Sequence, residues 1–190
     1  MAQSSTTISS QRDHKVNITG TDISFVASTK TISAVSTALA NLAVYDVITV
    51  TGTSLNNSTF TVASVATNGL SITVQETVAN ETADGSTTTT IDYTGFVTNK
   101  YQGDGYYSQA DGVHTVAYHV LATLTGAVKM QGSLATTPTE SDWFDIAGTT
   151  FTTDLSTTIF SANFTGNFVW VRAKATGVTA GSVMKILYNH

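Results

Sequence analysis

Residues 46–76 read DVITVTGTSLNNSTFTVASVATNGLSITVQE, and this stretch decides the fold class. Within it Asp46–Thr51 (DVITVT), Thr59–Val65 (TFTVASV) and Leu70–Glu76 (LSITVQE) alternate apolar with polar residues. A period of two places Phe60 and Val62 on one face of the second run and Leu70, Ile72 and Val74 on one face of the third, the pattern of half-buried antiparallel strands. Asn56-Asn57 and Thr67-Asn68-Gly69 separate the runs, and Asn and Gly accept the positive φ of tight hairpin turns. The expected result is a β-meander. Upstream, Ile23–Ala27 and Thr31–Val35 read as shorter strands, and Ser36–Val44 (STALANLAV) spaces Ala and Leu as one or two helical turns would.

Composition extends the all-β reading to the whole chain. Of 190 residues, 37 are threonine and 19 serine, while Asp, Glu, Lys and Arg make up only 11%, against about 25% in ordinary domains. The branched Cβ of threonine favours strands over helices. A net charge of −5 with eight Lys plus Arg is too little positive charge to neutralise many phosphates, so no nucleic-acid partner is expected. The absence of cysteine removes disulfides and thiolate metal sites. No apolar run reaches the ~18 residues of a membrane span, and Met1–Gln11 lacks the hydrophobic region of a signal peptide. A soluble protein made in a cytoplasm, with no membrane partner, is expected.

Aromatic residues divide the chain. Only Phe25, Tyr45, Phe60 and Tyr93 precede Phe96, whereas the other 13 of 17 lie from Phe96 onward, which implies two cores. The polar Asn80–Thr90 marks the boundary, although Thr87–Tyr93 also reads as a last strand of the first unit. The expected organisation is an extended N-terminal arm over residues 1–21, a small β-barrel-like or meander domain over 22–95, and an antiparallel, jelly-roll-like β-sandwich over 96–190. The arm follows from the scarcity of apolar residues in Met1–Thr21. In the second domain strands are expected at Val116–Leu124, Ala127–Ser133, Trp143–Ile146, Thr158–Phe164, Phe168–Ala175 and Ser182–Tyr188. Glycine-containing turns separate them.

The run ISFVASTKTIS followed by DVITVTGTSLNNSTFTVASVATNGLSITV, within Ile23–Glu76, resembles a small β-barrel-like module recurrent in virion proteins of tailed bacteriophages. ATLTGAVKMQGSLATTPTESDWFDIAG followed by GNFVWVRAKATGVTAGSVMKILYNH resembles a β-sandwich at the end of many phage structural proteins, including those of phages of marine bacteria and cyanobacteria. The resemblance implies a virion component without chemistry of its own. A capsid decoration (cement) protein on the major capsid lattice is expected, located in the virion and partnered by the major capsid protein or other virion proteins. The alternatives are a neck, collar or tail component, or a receptor- or glycan-binding module of a tail fibre.

Candidate chemistry is sparse. His114 and His119 are five apart, hence on opposite strand faces, and are not expected to share a metal. Asp104 and Asp111 lie in GDG and ADG but lack the spacing of a calcium loop and read as turn formers. Asp142 and Asp145 flank Trp143-Phe144, yet no neighbour is expected to raise either pKa as a glycosidase acid requires. No catalytic residue, metal or cofactor is therefore expected. In Phe168–Ala175, alternation puts Val169, Val171, Ala173 and Ala175 on one face, read as core, and Phe168, Trp170, Arg172 and Lys174 on the other. That second face either fills the sandwich, with Arg172 at its rim, or forms a subunit contact, since Trp and Arg are favoured interface anchors. Tyr101, Tyr106 and Tyr107 in YQGDGYY read either as packing of an inter-domain loop or as an aromatic platform. Trp170, Arg172, Lys174, Tyr101, Tyr106 and Tyr107 are thus the candidate interface. Domains of 75–95 residues bury only about 60% of their unfolded surface, so a homo-oligomer or lattice is expected to supply further burial.

Overall fold

The computed structural model describes residues 5–107, 112–152 and 158–189, and it is all-β. Two compact units emerge: Lys15–Phe96, and Met1–His14 together with Val97–His190. The N-terminal residues begin the second of these with β1 (Ser5–Ser9) and β2 (Arg12–Asp13).

The Lys15–Phe96 unit comprises β3 (Ile18–Gly20), β4 (Ile23–Val26), β5 (Thr31–Ala34), β6 (Asp46–Thr51), β7 (Thr59–Val65), β8 (Ser71–Val74) and β9 (Thr89–Val97). They pair antiparallel in the order β3-β9-β6-β7-β8-β5-β4. The meander expected over residues 46–76 is present, with Val47 opposite Thr61 and Val62 opposite Val74. Its alternation is realised in a core that includes Ile32, Ile48, Val50, Phe60, Val62 and Ile72. Gly69 takes φ +68°, donates its N–H to Ala66 O at 2.9 Å, and so makes the turn that Asn68-Gly69 signalled. The ribbon does not close, so the barrel-like expectation for this unit resolves into an open, meandering sheet.

Residues 36–44 form no helix. The carboxylate of Asp22 accepts the backbone N–H groups of Val35, Ser36 and Thr37 at 3.0, 2.6 and 3.1 Å, together with both hydroxyls of Ser36 and Thr37. A side chain that collects successive N–H groups competes directly with helix formation. Leu39 and Leu42 are left to plug the core.

The remaining strands are β10 (Tyr101–Gln102), β11 (Val113–Val120), β12 (Thr125–Ser133), β13 (Phe144–Asp145), β14 (Phe151–Thr152), β15 (Ile159–Thr165), β16 (Trp170–Ala180) and β17 (Ser182–Asn189). One sheet runs β1-β17-β11-β15, with β2 also on β17, and β12 is paired on one side with β13 and β14 and on the other with β16, which carries β10. The two layers bury Val116, Tyr118, Ile186 and Tyr188 from the first and Val128, Met130, Val171 and Ala173 from the second. The Tyr118 hydroxyl crosses between layers to donate to Thr149 O at 2.9 Å. This is the expected sandwich.

The N-terminal arm is corrected. Ser5–Ser9 pairs with β17, Ser5 opposite Asn189 and Thr7 opposite Leu187, and Asp13 accepts the Ser182 hydroxyl at 2.6 Å. A polar segment needs few apolar residues to order when a neighbouring strand satisfies its backbone and one anchor is buried. Ile8, 5% exposed, is that anchor.

Candidate functional site

The outer face of β12 and β16 gathers most of the singled-out residues. Register sets Lys129 opposite Lys174, Gln131 opposite Arg172 and Ser133 opposite Trp170, so Trp170, Arg172 and Lys174 do share one face. Val171, Ala173 and Ala175 are buried on the other, but the expected alternation fails before the strand begins: Phe168 is buried against His114 and Phe164, and Val169 is only half-buried. Trp170 therefore does not fill the core. It is half-buried outside, donating its indole N–H to Thr136 O at 2.9 Å.

Arg172 is only 4% exposed and is held through all three guanidinium nitrogens. Its Nε donates to Gln131 Oε1 at 3.0 Å, and Nη1 and Nη2 donate to the two Glu140 oxygens at 2.7 and 2.8 Å. The guanidinium lies 4.3 Å above the Trp143 ring. Glu140 reaches this position from the short 3-10 turn Glu140–Asp142, whose start is closed by reciprocal hydrogen bonds between Thr139 and Asp142. Gln131 Nε2 in turn donates to Asp145 Oδ1 at 2.9 Å, and Lys129 ion-pairs with the same carboxylate. Arg172 is thus withdrawn from solvent, with one donor on each of its three nitrogens held inside the network.

These contacts fix the acid–base character of the site. Hydrogen bonds from Arg172 hold the Glu140 carboxyl below the usual range. Bonds from the backbone and hydroxyl of Thr139 do the same for Asp142. Partial burial pushes Asp145 up, but Lys129 and Gln131 outweigh it and the net shift is downward. Neither Asp142 nor Asp145 has the raised pKa of a general acid; both serve as acceptors for local donors.

A second cluster lies beside the first. Lys100 Nζ sits 4.2 Å from the Trp170 ring centroid, Tyr106 packs against Trp170 at 5.1 Å, and Tyr107 meets Tyr106 edge-on at 5.2 Å. Tyr106 and Tyr107 remain 47% and 50% exposed, and Tyr107 donates its hydroxyl to Gln102. Tyr101 does not join them: β10 sets it opposite Val171, on the core-facing side. The tyrosine loop therefore supplies two exposed rings rather than three.

The histidines separate as their spacing predicts. His119 is partly exposed, with burial and the Lys185 charge lowering its pKa. His114 is fully buried. Its Nδ1 lies 2.7 Å from the Tyr188 hydroxyl, and its Nε2 lies 3.2 Å from Gly166 O and 3.6 Å from Asp104 Oδ2. A carbonyl can only accept, so Nε2 carries the proton in that bond. Burial, with the Asp104 charge, raises the Tyr188 pKa. Asp104 Oδ2 makes no hydrogen bond of its own and stands only at ion-pair distance, so His114 and Tyr188, with the imidazole packed against Phe164 and Phe168, form a polar brace within the core. Asp111 lies outside the described residues. Among the described residues, no three His, Cys, Asp or Glu side chains are grouped to hold a metal ion, and no helix is long and apolar enough to cross a membrane.

Sequence reasoning missed Glu140 and Gln131 as partners of Arg172. The resemblance runs QGS and SDWFDI already contained Gln131, Trp143 and Asp145, but only the fold brings them to β16. It also missed Lys15 and Asp46, an ion pair of 2.7 Å whose carboxylate is fully buried in the Lys15–Phe96 unit. No known protein family matches the chain by comparison with family models, and no curated protein matches it either.

Proposed function

We propose that this chain is a structural component of a tailed-bacteriophage virion, and more narrowly a capsid decoration protein that binds the outer surface of the major capsid lattice without carrying out a reaction. One observation carries this reading. Of the residues on which the second phage resemblance rests, Gln131 joins Asp145 and Arg172 by hydrogen bonds, Trp143 lies against the Arg172 guanidinium, and Trp170 gives its indole N–H to a backbone carbonyl. Such a network ties the polar side chains of this face to one another, which supports a structural part for them. A weakly charged, hydroxyl-rich surface supports the same reading, because protein interfaces are depleted in Lys, Glu and Asp.

Copy number tests the proposal. Purified particles of the cognate phage should contain the chain in hundreds of copies relative to the major capsid protein on a quantitative gel. A few to dozens of copies would move it to the neck, collar or tail, and its absence from particles would remove the virion reading. The exposed Tyr106 and Tyr107 beside Trp170 favour a second reading, glycan binding by a tail-fibre module, since exposed aromatic faces stack on sugar rings. A glycan array on the parent protein and on Tyr106→Ala with Tyr107→Ala decides it. Signal in the parent that vanishes in the variant supports it, and no signal in the parent removes it.

A further inference from the structure

Among the described strands, β15 is a long sheet edge without protection. It runs seven residues as Ile-Phe-Ser-Ala-Asn-Phe-Thr from Ile159 to Thr165 and pairs only with β11, with no bulge. It contains no charge and no proline, the devices by which natural edges avoid pairing with other chains. Other strands at sheet margins are guarded. β10, β13 and β14 are two residues long and β3 three, β1 is interrupted by a bulge between Thr7 and Ser9, and β4 is bridged by Glu81 through Phe25.

The direction of its backbone groups follows from one bond. Val120 N–H donates to Thr158 O at 2.9 Å, in register with the ladder that sets His119 opposite Ile159 and His114 opposite Phe164. Antiparallel partners alternate between hydrogen-bonded and non-hydrogen-bonded pairs. Phe160, Ala162 and Phe164 therefore spend their N–H and C=O groups on β11. Ile159, Ser161, Asn163 and Thr165 turn theirs outward.

We propose that two copies of this chain pair through β15, antiparallel about a two-fold axis at Ala162. In that register Ser161 meets Asn163 of the second copy and Ile159 meets Thr165, so every outward N–H and C=O of the strand finds a partner. A one-residue slip would set outward groups against spent ones. The side chains agree with the backbone. Phe160 and Phe164 lie on the inner face, opposite Tyr118 and His114, and would meet each other across the axis as a close, non-hydrogen-bonded pair. Ser161 and Asn163 would meet on the outer face, and no like charges are opposed. The contact is isologous, so it closes on itself and removes the exposed edge. This inference does not rest on the virion reading: a dimer in solution that is absent from particles would uphold one and sink the other.

Sedimentation equilibrium on the full chain is expected to give twice the 19.9 kDa monomer mass. Ser161→Pro removes an outward N–H at an edge position, where a folded monomer tolerates proline. It should weaken self-association at least about tenfold, equivalent to about 1.4 kcal/mol, without changing the circular dichroism spectrum. The chain has no cysteine, so Ala162→Cys adds a single thiol. Non-hydrogen-bonded partners have Cα atoms about 4.5 Å apart, within disulfide range, and this variant should cross-link to dimer on mild oxidation, much faster than Thr115→Cys on the neighbouring strand. A monomer at all concentrations overturns the proposal. So does a trimer or open chain, or a dimer that Ser161→Pro leaves intact and Ala162→Cys does not trap.

Discussion

Removing the Glu140 carboxylate tests whether Arg172 is a buried structural cation or a surface anchor. Glu140→Ala deletes two charge-assisted hydrogen bonds of 2.7 and 2.8 Å. Breaking a fully buried pair costs about 3–5 kcal/mol, and an exposed pair contributes about 0–1 kcal/mol. This pair is asymmetric: the Glu140 side chain is 41% exposed and that of Arg172 only 5%. Water therefore screens the acid but cannot readily reach the cation left behind, which keeps Gln131 and the Trp143 ring. A loss of about 2 kcal/mol is expected, between those limits. Replacing both partners, Glu140→Ala with Arg172→Met, should recover part of it because no unpaired charge then remains. Urea unfolding followed by tryptophan fluorescence reads the relevant unit alone, because Trp143 and Trp170 are the only tryptophans and both lie in it. With a slope of about 2 kcal/mol per molar urea, the midpoint should fall by about 1 M. The sign of the pH dependence follows from the depressed folded-state pKa of Glu140. Its stabilisation is present above the unfolded value of about 4.3 and is lost as pH falls through the folded value. The gap between parent and variant should be constant from about pH 5 to 8 and close in stronger acid. A loss below about 0.5 kcal/mol, the range of an ordinary surface substitution, would refute the reasoning and restore Arg172 as a residue open to partners.

Three further perturbations probe other parts of the chain. Lys15→Met removes the ammonium that lies 2.7 Å from the fully buried Asp46 carboxylate and should cost about 3 kcal/mol, read as a lower urea midpoint by circular dichroism. Tyr118→Phe removes the hydroxyl that reaches Thr149 O inside the sandwich, and a loss of about 1–2 kcal/mol is expected from the same tryptophan-detected unfolding. Asp22→Ala releases the N–H groups of Val35, Ser36 and Thr37. Their amide hydrogen exchange should accelerate while Ile48 and Val62 in the strands stay protected. The hydrogen bonds that hold the Asp22 pKa far down keep this anchor in place until strongly acidic pH.

Period-two alternation was legible wherever a strand has one wet face. Asp46–Thr51 and Thr59–Val65 appear with the bounds their pattern implied, and Trp170, Arg172 and Lys174 fall on one face as alternation requires. Positions 36–44 were misread because the decisive hydrogen bonds come from Asp22, outside any local window. The polar first residues were read as a separate arm because that reading rested on their side chains, whereas Ser5–Ser9 is held by main-chain pairing with a strand nearly the whole sequence away. At the candidate site the aromatic and cationic residues could be named, but their mutual saturation could not.

Alternating hydrophobicity, abundant threonine and turn residues such as Asn68-Gly69 were enough to dictate an all-β chain, because strand formation and face selection depend on neighbours two residues apart. Tertiary structure alone decided that Glu140 would neutralise Arg172, that Asp104, His114 and Tyr188 would meet in the core, and that β15 would be left at an edge. Those outcomes depend on which strands lie side by side, and partners as distant as His119 and Ile159 or Ser5 and Asn189 leave no periodic trace in the sequence between them.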